Sequence, residues 1–146
     1  MNYKIFTVIL ISLYFFSCSC SSDISQERNF IIDYYTIGGV TGKSDGITVN
    51  SDGKVNHWNG FTAANRTVTD SVKVNEDEIN NFASLLEDST LYTFKYREKG
   101  NLTTVITINT NKHMNSISYP GTVSPKEFPK QIKELITELN KLFNRK

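Results

Sequence analysis

Residues 66–89 read RTVTDSVKVNEDEINNFASLLEDS, and the hydrophobic period changes within them. From Arg66 to Val74, Val68, Asp70, Val72 and Val74 alternate with Thr67, Thr69, Ser71 and Lys73. That two-residue repeat describes a mostly half-buried strand. After Asn75 the apolar positions become Ile79, Phe82, Leu85 and Leu86, which share one face of a helix. Asn75 can cap that helix, and Glu78 stands at the capping-box position. Glu76, Asp77 and Glu78 place negative charge against the positive end of the helix dipole. The helix is expected to end near Ser89.

Upstream of this switch the signals are those of strands. Phe30 to Ile37 (FIIDYYTI) is β-branched and aromatic. Ile47 to Asn50 and Lys54 to Trp58 flank Ser51-Asp52-Gly53, a hairpin signal because Asp and Gly tolerate positive φ. Gly38 to Gly46 reads as a glycine-rich turn or loop, and Asn59 to Asn65 as a second loop. Downstream, Leu91 to Tyr96 is expected at a sheet edge, and Leu102 to Asn109 and His113 to Tyr119 form an antiparallel pair. Ser124-Pro125-Lys126-Glu127 offers a second capping box, while Pro129 leaves the start of the following helix open. Phe128, Ile132, Leu135, Ile136, Leu139, Leu142 and Phe143 then give one apolar stripe. The expected fold is α+β: an antiparallel sheet of about five to seven strands packed with two helices, the C-terminal helix long and amphipathic.

The chain of 146 residues carries 16 Lys and Arg against 15 Asp and Glu, for a net charge of +1. That balance suits one domain and provides no basic field for nucleic acid. Both cysteines, Cys18 and Cys20, fall among the first twenty residues, so no disulfide framework or cysteine-built zinc site is expected in the body.

The amino terminus reads as an address. Lys4 precedes the apolar run Ile5 to Phe16, which is too short for the ~20 apolar residues of a membrane span. This is the pattern of a secretory signal peptide. Phe15-Phe16-Ser17-Cys18 resembles the lipobox of bacterial lipoproteins, in the loose form common in Bacteroidetes-type bacteria. The resemblance implies cleavage before Cys18 and lipidation of its thiol, with Cys20 as the alternative attachment site. Residues 1–17 are then signal peptide, 18–29 a polar tether and 30–146 a single domain. Cleavage removes Lys4 and leaves a net charge of zero. The expected location is the bacterial cell envelope, lipid-anchored at the outer membrane.

Motifs for chemistry are weak. Gly38 to Ser44 (GGVTGKS) is one residue short of a phosphate-binding loop, and a strand rather than a helix follows it. Thr48 and Asn59 occupy the acidic positions that a calcium loop at Asn50, Asp52 and Gly53 would require. His57 and His113 are the only histidines, lack metal-ligand spacing, and are expected on the polar faces of their strands. Asp45 and Asp52 are expected in exposed turns. No Gly-x-Ser-x-Gly elbow occurs. No catalytic residue, metal, nucleotide or other cofactor is assigned, and a binding protein is favoured over an enzyme. The candidate partner-binding residues are Gly38, Gly39, Val40, Thr41 and Gly42, where glycine permits close backbone approach, with Trp58 and Phe61 as aromatic anchors.

The order of features resembles the emfourin family of protealysin inhibitors. The resemblance rests on Gly38-Gly39-Val40-Thr41-Gly42, the helix after Asn75, Leu91-Tyr92-Thr93-Phe94, the hairpin around His113, and Ser124-Pro125 leading into Ile132 to Leu142. It implies binding to a thermolysin-like metallopeptidase, without matching any inhibitory residue. The alternative is a structural or assembly lipoprotein of an envelope complex, using an exposed edge strand or aromatic patch.

Overall fold

The computed structural model describes residues 29–39, 41–61 and 65–145. The signal-peptide, tether and lipid-attachment readings, with Cys18 and Cys20, lie outside the described residues.

Six strands form one antiparallel sheet: β1 (Phe30–Gly38), β2 (Lys43–Asn50), β3 (Lys54–Gly60), β4 (Arg66–Lys73), β5 (Leu102–Thr110) and β6 (Met114–Pro120). Their spatial order is β4-β3-β2-β1-β5-β6. The first four make a meander. Helices α1 (Glu76–Leu85) and α2 (Thr90–Thr93) then carry the chain across, so that β5 pairs with β1. The last helix, α3 (Lys130–Phe143), closes the fold.

One sheet face is apolar because its register aligns the inward residues. Ile32 is opposite Val49 on one side and Ile108 on the other, and all three are fully buried. Ile47, Ile106, Ile117 and Tyr119 extend that layer. Helix α3 covers it with Ile132, Leu135, Ile136, Leu139 and Leu142, while α1 contributes Ile79, Phe82 and Ala83. The other face carries a polar row in register across all six strands: Ser116, Thr107, Asp33, Thr48, Asn56 and Ser71. The result is the expected α+β class, with helices on one face only.

Helix α1 begins as its sequence predicts. Asn75 accepts from Glu78 N at 2.9 Å, and Glu78 reaches back to Asn75 N at 3.3 Å. The carboxylate of Glu78 also receives two bonds from Arg145, at 2.6 and 3.1 Å, which ties the start of α1 to the residue beyond the end cap of α3. Buried Asn115 holds the α2 segment by donating to Leu91 O and Phe94 O at 2.7 and 2.9 Å.

The architecture departs from expectation at residues 90–96. Thr90 to Thr93 winds into a single helical turn, started by Asp88 Oδ1 accepting from Thr90 N at 2.8 Å. Only Tyr96 to Glu98 then reaches the sheet, where Ser118 donates to Tyr96 O and accepts from Glu98 N. The start of helix α3, left open by the sequence, falls at Lys130 with Pro129 as N-cap, because a proline at 129 disfavours the helical conformation at Phe128 and keeps the Ser124 box outside the helix.

Two outcomes follow from this packing. Leu135 is fully buried, so Leu135→Ala is expected to cost about 2–5 kcal/mol in a denaturant titration. The Arg145 bonds hold the Glu78 carboxyl below its ordinary value, so the pair stabilises the fold at neutral pH and loses that contribution as pH falls through the lowered value. Arg145→Gln should therefore lower stability at neutral pH by less than about 1 kcal/mol, the gap closing in pH-resolved melts as pH falls through the lowered value of Glu78.

Candidate functional site

The glycine segment is the tip of the β1–β2 hairpin. Gly38, Gly39 and Gly42 have φ values of 139, 72 and 62°, all in the region that favours glycine. At Gly38 the requirement is also one of space, since a Cβ would meet Asn101 O at 2.1 Å. The Gly39 amide donates to that same carbonyl at 2.7 Å, which fastens the tip to the loop before β5. Gly39 and Gly42 face open space, and Thr41 is exposed. Val40 lies outside the described residues.

Phe61 follows β3 at the same end of the sheet and is 62% exposed. It borders a cavity of about 470 Å³ with Thr36, Lys43, Asp45, Asn59 and Gly60. The hairpin tip and Phe61 therefore share one end of the molecule. Leu102 at the start of β5 and Val123 just after β6 are exposed at that end too. Neither stood out in the sequence, because an isolated leucine or valine carries no sign of exposure until its strand is placed.

Trp58 is not a surface anchor, as the sequence suggested, but a buried residue with 1% exposure. It lies in register with Gly46, on the sheet face opposite the helices. The missing side chain at Gly46 makes the room: a Cβ there would be 2.9 Å from Trp58 Cζ2 and 2.4 Å from Tyr35 Cβ. The indole ring lies 5.4 Å from that of Tyr35, with the Arg66 guanidinium 5.2 Å above it. Its Nε1 donates to Thr48 Oγ1 at 3.2 Å, and that hydroxyl donates to Asp33 at 2.6 Å. Arg66 completes the network with bonds of 2.7 Å to Asp33 and 3.1 Å to Thr48. Burial and the nearby Asp33 charge push the Tyr35 hydroxyl above its usual range. The available signal was Gly46 itself, since a glycine inside a strand marks close approach of another group.

The histidines do not form a site. His57 sits on the helix-covered face because β3 pairs it with the core position Ile47. It is buried against the Phe143 ring at 6.5 Å, and its Nε2 has no partner, which corrects the expectation of a polar-face position. The His113 ring lies 4.8 Å from that of Tyr92, tilted by 38°, beside the β5–β6 turn. Asp45 lies in β2 rather than in a turn, while Asp52 accepts from Lys54 N at 2.8 Å within the β2–β3 turn. Among the described residues no group of three His, Cys, Asp or Glu could hold a metal.

A second buried polar group lies under α3. Tyr34 donates to Asn140 Oδ1 at 2.7 Å, and the Tyr119 hydroxyl beside it meets the geometric criteria of a hydrogen bond with no group among the described residues. Burial and the proximity of Tyr34 raise the Tyr119 hydroxyl far above its ordinary value. These groups stay neutral and serve packing.

No protein-family model matches the chain, and comparison with curated proteins returns no match. Among the described residues no helix is long and apolar enough to cross a membrane.

Trp58 is the single tryptophan, so its environment can be read directly. Gly46→Val should displace the indole, shift its emission to longer wavelength and make it accessible to iodide. Unchanged emission would contradict the space argument.

Proposed function

We propose that this chain is a lipid-anchored protein of the bacterial cell envelope whose domain binds another protein through the β1–β2 tip and the neighbouring loops. The observation that carries this reading is the orientation of β1. Its first residue, Phe30, continues from the tether, and its last, Gly38, enters the glycine tip. The nine residues from Phe30 to Gly38 span on the order of 27 Å. A membrane anchor before Phe30 therefore presents Thr41, Phe61, Leu102 and Val123 at the end facing away from its attachment. Val123, at 80% exposure, and Phe61 offer apolar area there, and the open glycines allow a partner backbone to approach. The resemblance to the emfourin family supports a metallopeptidase as the partner and inhibition as the outcome.

A specific observation favours a second reading, assembly into an envelope complex. The two sheet edges are treated differently. Residues 96–98 bridge the outer side of β6, whereas among the described residues no strand pairs with the outer side of β4. Residues of β4 are almost all exposed, so its backbone is accessible to an added strand.

Titration of a thermolysin-like peptidase with the purified mature chain separates the two. Under the inhibitor reading, micromolar protein lowers activity, and Phe61→Ala weakens inhibition by tenfold or more, consistent with loss of an aromatic anchor worth about 2 kcal/mol. Undiminished activity removes that reading. Cys18→Ser should also abolish incorporation of radiolabelled fatty acid; label that persists until Cys20 is replaced assigns the attachment to Cys20.

A further inference from the structure

The start of β1 opens onto a groove at the end of the sheet opposite the glycine tip. The groove holds about 640 Å³, lined by Phe30, Ala83, Leu86 and the Tyr92 ring, with Lys112 at its rim. That volume falls within the ~300–1,000 Å³ of small-molecule sites. The lining is mostly apolar, and three hydroxyls on its walls are already committed within the protein, while Glu87, Lys112 and His113 also border it. The Tyr92 hydroxyl donates to Leu86 O at 2.8 Å, that of Thr93 to Ser89 O at 3.1 Å, and that of Thr110 to His113 O at 3.1 Å. Those three hydroxyls are not free to donate to a ligand, whereas a flexible hydrocarbon against the apolar walls of Phe30, Ala83 and Leu86 requires no donor. An added peptide strand does not fit, because Phe30 is already paired with Thr110 and its carbonyl accepts from Ser51 N at 3.1 Å.

The location of the groove selects the occupant. Asn29 lines it, and the ten residues Ser19 to Arg28 separate Cys18 from that point. Ten residues can span up to about 33 Å, so a lipid on Cys18 is within reach. We propose that the groove is an acyl-chain site that shelters one chain of the protein's own amino-terminal lipid when the anchor leaves a bilayer. The assignment rests on the lipidation reading above and adds to it a place in the fold for the hydrocarbon.

Two measurements test it. The first uses the full chain carrying Cys18→Ser and Cys20→Ser, with a fluorescent sixteen-carbon fatty acid as probe. Saturable binding of one probe per chain is expected, weakening about tenfold for each two carbons removed. Thr93→Trp, an exposed rim substitution that leaves the core intact, should reduce that binding at least tenfold without lowering the melting temperature. Ala83→Leu, which fills the floor, should act in the same direction. Absence of saturable binding, or binding indifferent to both substitutions, overturns the proposal.

The second follows transfer of the lipidated chain between vesicles of phosphatidylethanolamine and phosphatidylglycerol. Thr93→Trp is expected to slow transfer about tenfold, because the departing acyl chain loses its shelter. Probe binding with unaltered transfer would mean that the groove takes membrane lipid and not the anchor, which overturns the assignment. Failure of radiolabelled fatty acid to enter either cysteine would overturn the anchor reading separately, and with it the proposed occupant, while the probe would still report on the groove.

Discussion

The fold depends on one apolar contact, the burial of a single sheet face beneath α3. An antiparallel sheet with polar residues on its other side has nowhere else to place Ile32, Ile47, Ile106, Ile108 and Ile117. The five buried residues of α3 supply the cover, at three- and four-residue steps that match the helical period. The two tertiary ties at its margins, Arg145 to Glu78 and Asn140 to Tyr34, orient a helix whose position is set by hydrophobic burial. An exposed ion pair of this kind specifies an angle more than it stabilises a fold.

A sheet covered on one side has consequences for function. The uncovered face carries a row of short polar side chains, and its tryptophan, Trp58, is packed against Tyr35 and roofed by Arg66 rather than offered to solvent. The exposed apolar residues lie instead near strand ends and along β4. Loops at one end and an open edge are the surfaces that such an architecture leaves for recognition, since the interior of the sheet is committed to its own network. The same arrangement separates the start of β1 from the glycine tip by the length of the strand, and places the apolar groove at the Phe30 end.

Much of the architecture was legible from local signals. Asp52-Gly53 marked its hairpin, Asn75 and Glu78 marked the start of α1, and the stripe from Ile132 to Leu142 marked α3. Each of these rests on interactions between residues close in sequence. The misreadings have the opposite character. Trp58 looked like a surface aromatic beside a loop because Gly46, twelve residues earlier, is its neighbour only through strand pairing. His57 looked polar because alternation was counted without knowing that Ile47 would stand opposite. Leu91 to Thr93 has strand-like composition, yet Asp88 starts a turn there and Asn115 holds that turn through the carbonyls of Leu91 and Phe94.

The sequence by itself determined the class of fold, the number of major layers and the one-sided pattern of burial, because periodicity and capping are local and survive without tertiary context. It also placed the glycines at a turn. Only the tertiary structure decided which strand lies beside β1, that a network of Asp33, Thr48, Trp58 and Arg66 closes over Gly46, and that Phe61 shares an end of the molecule with the glycine tip. Those relations join residues far apart in the chain, and strand register, which sets them, depends on all the paired strands burying their apolar positions at once.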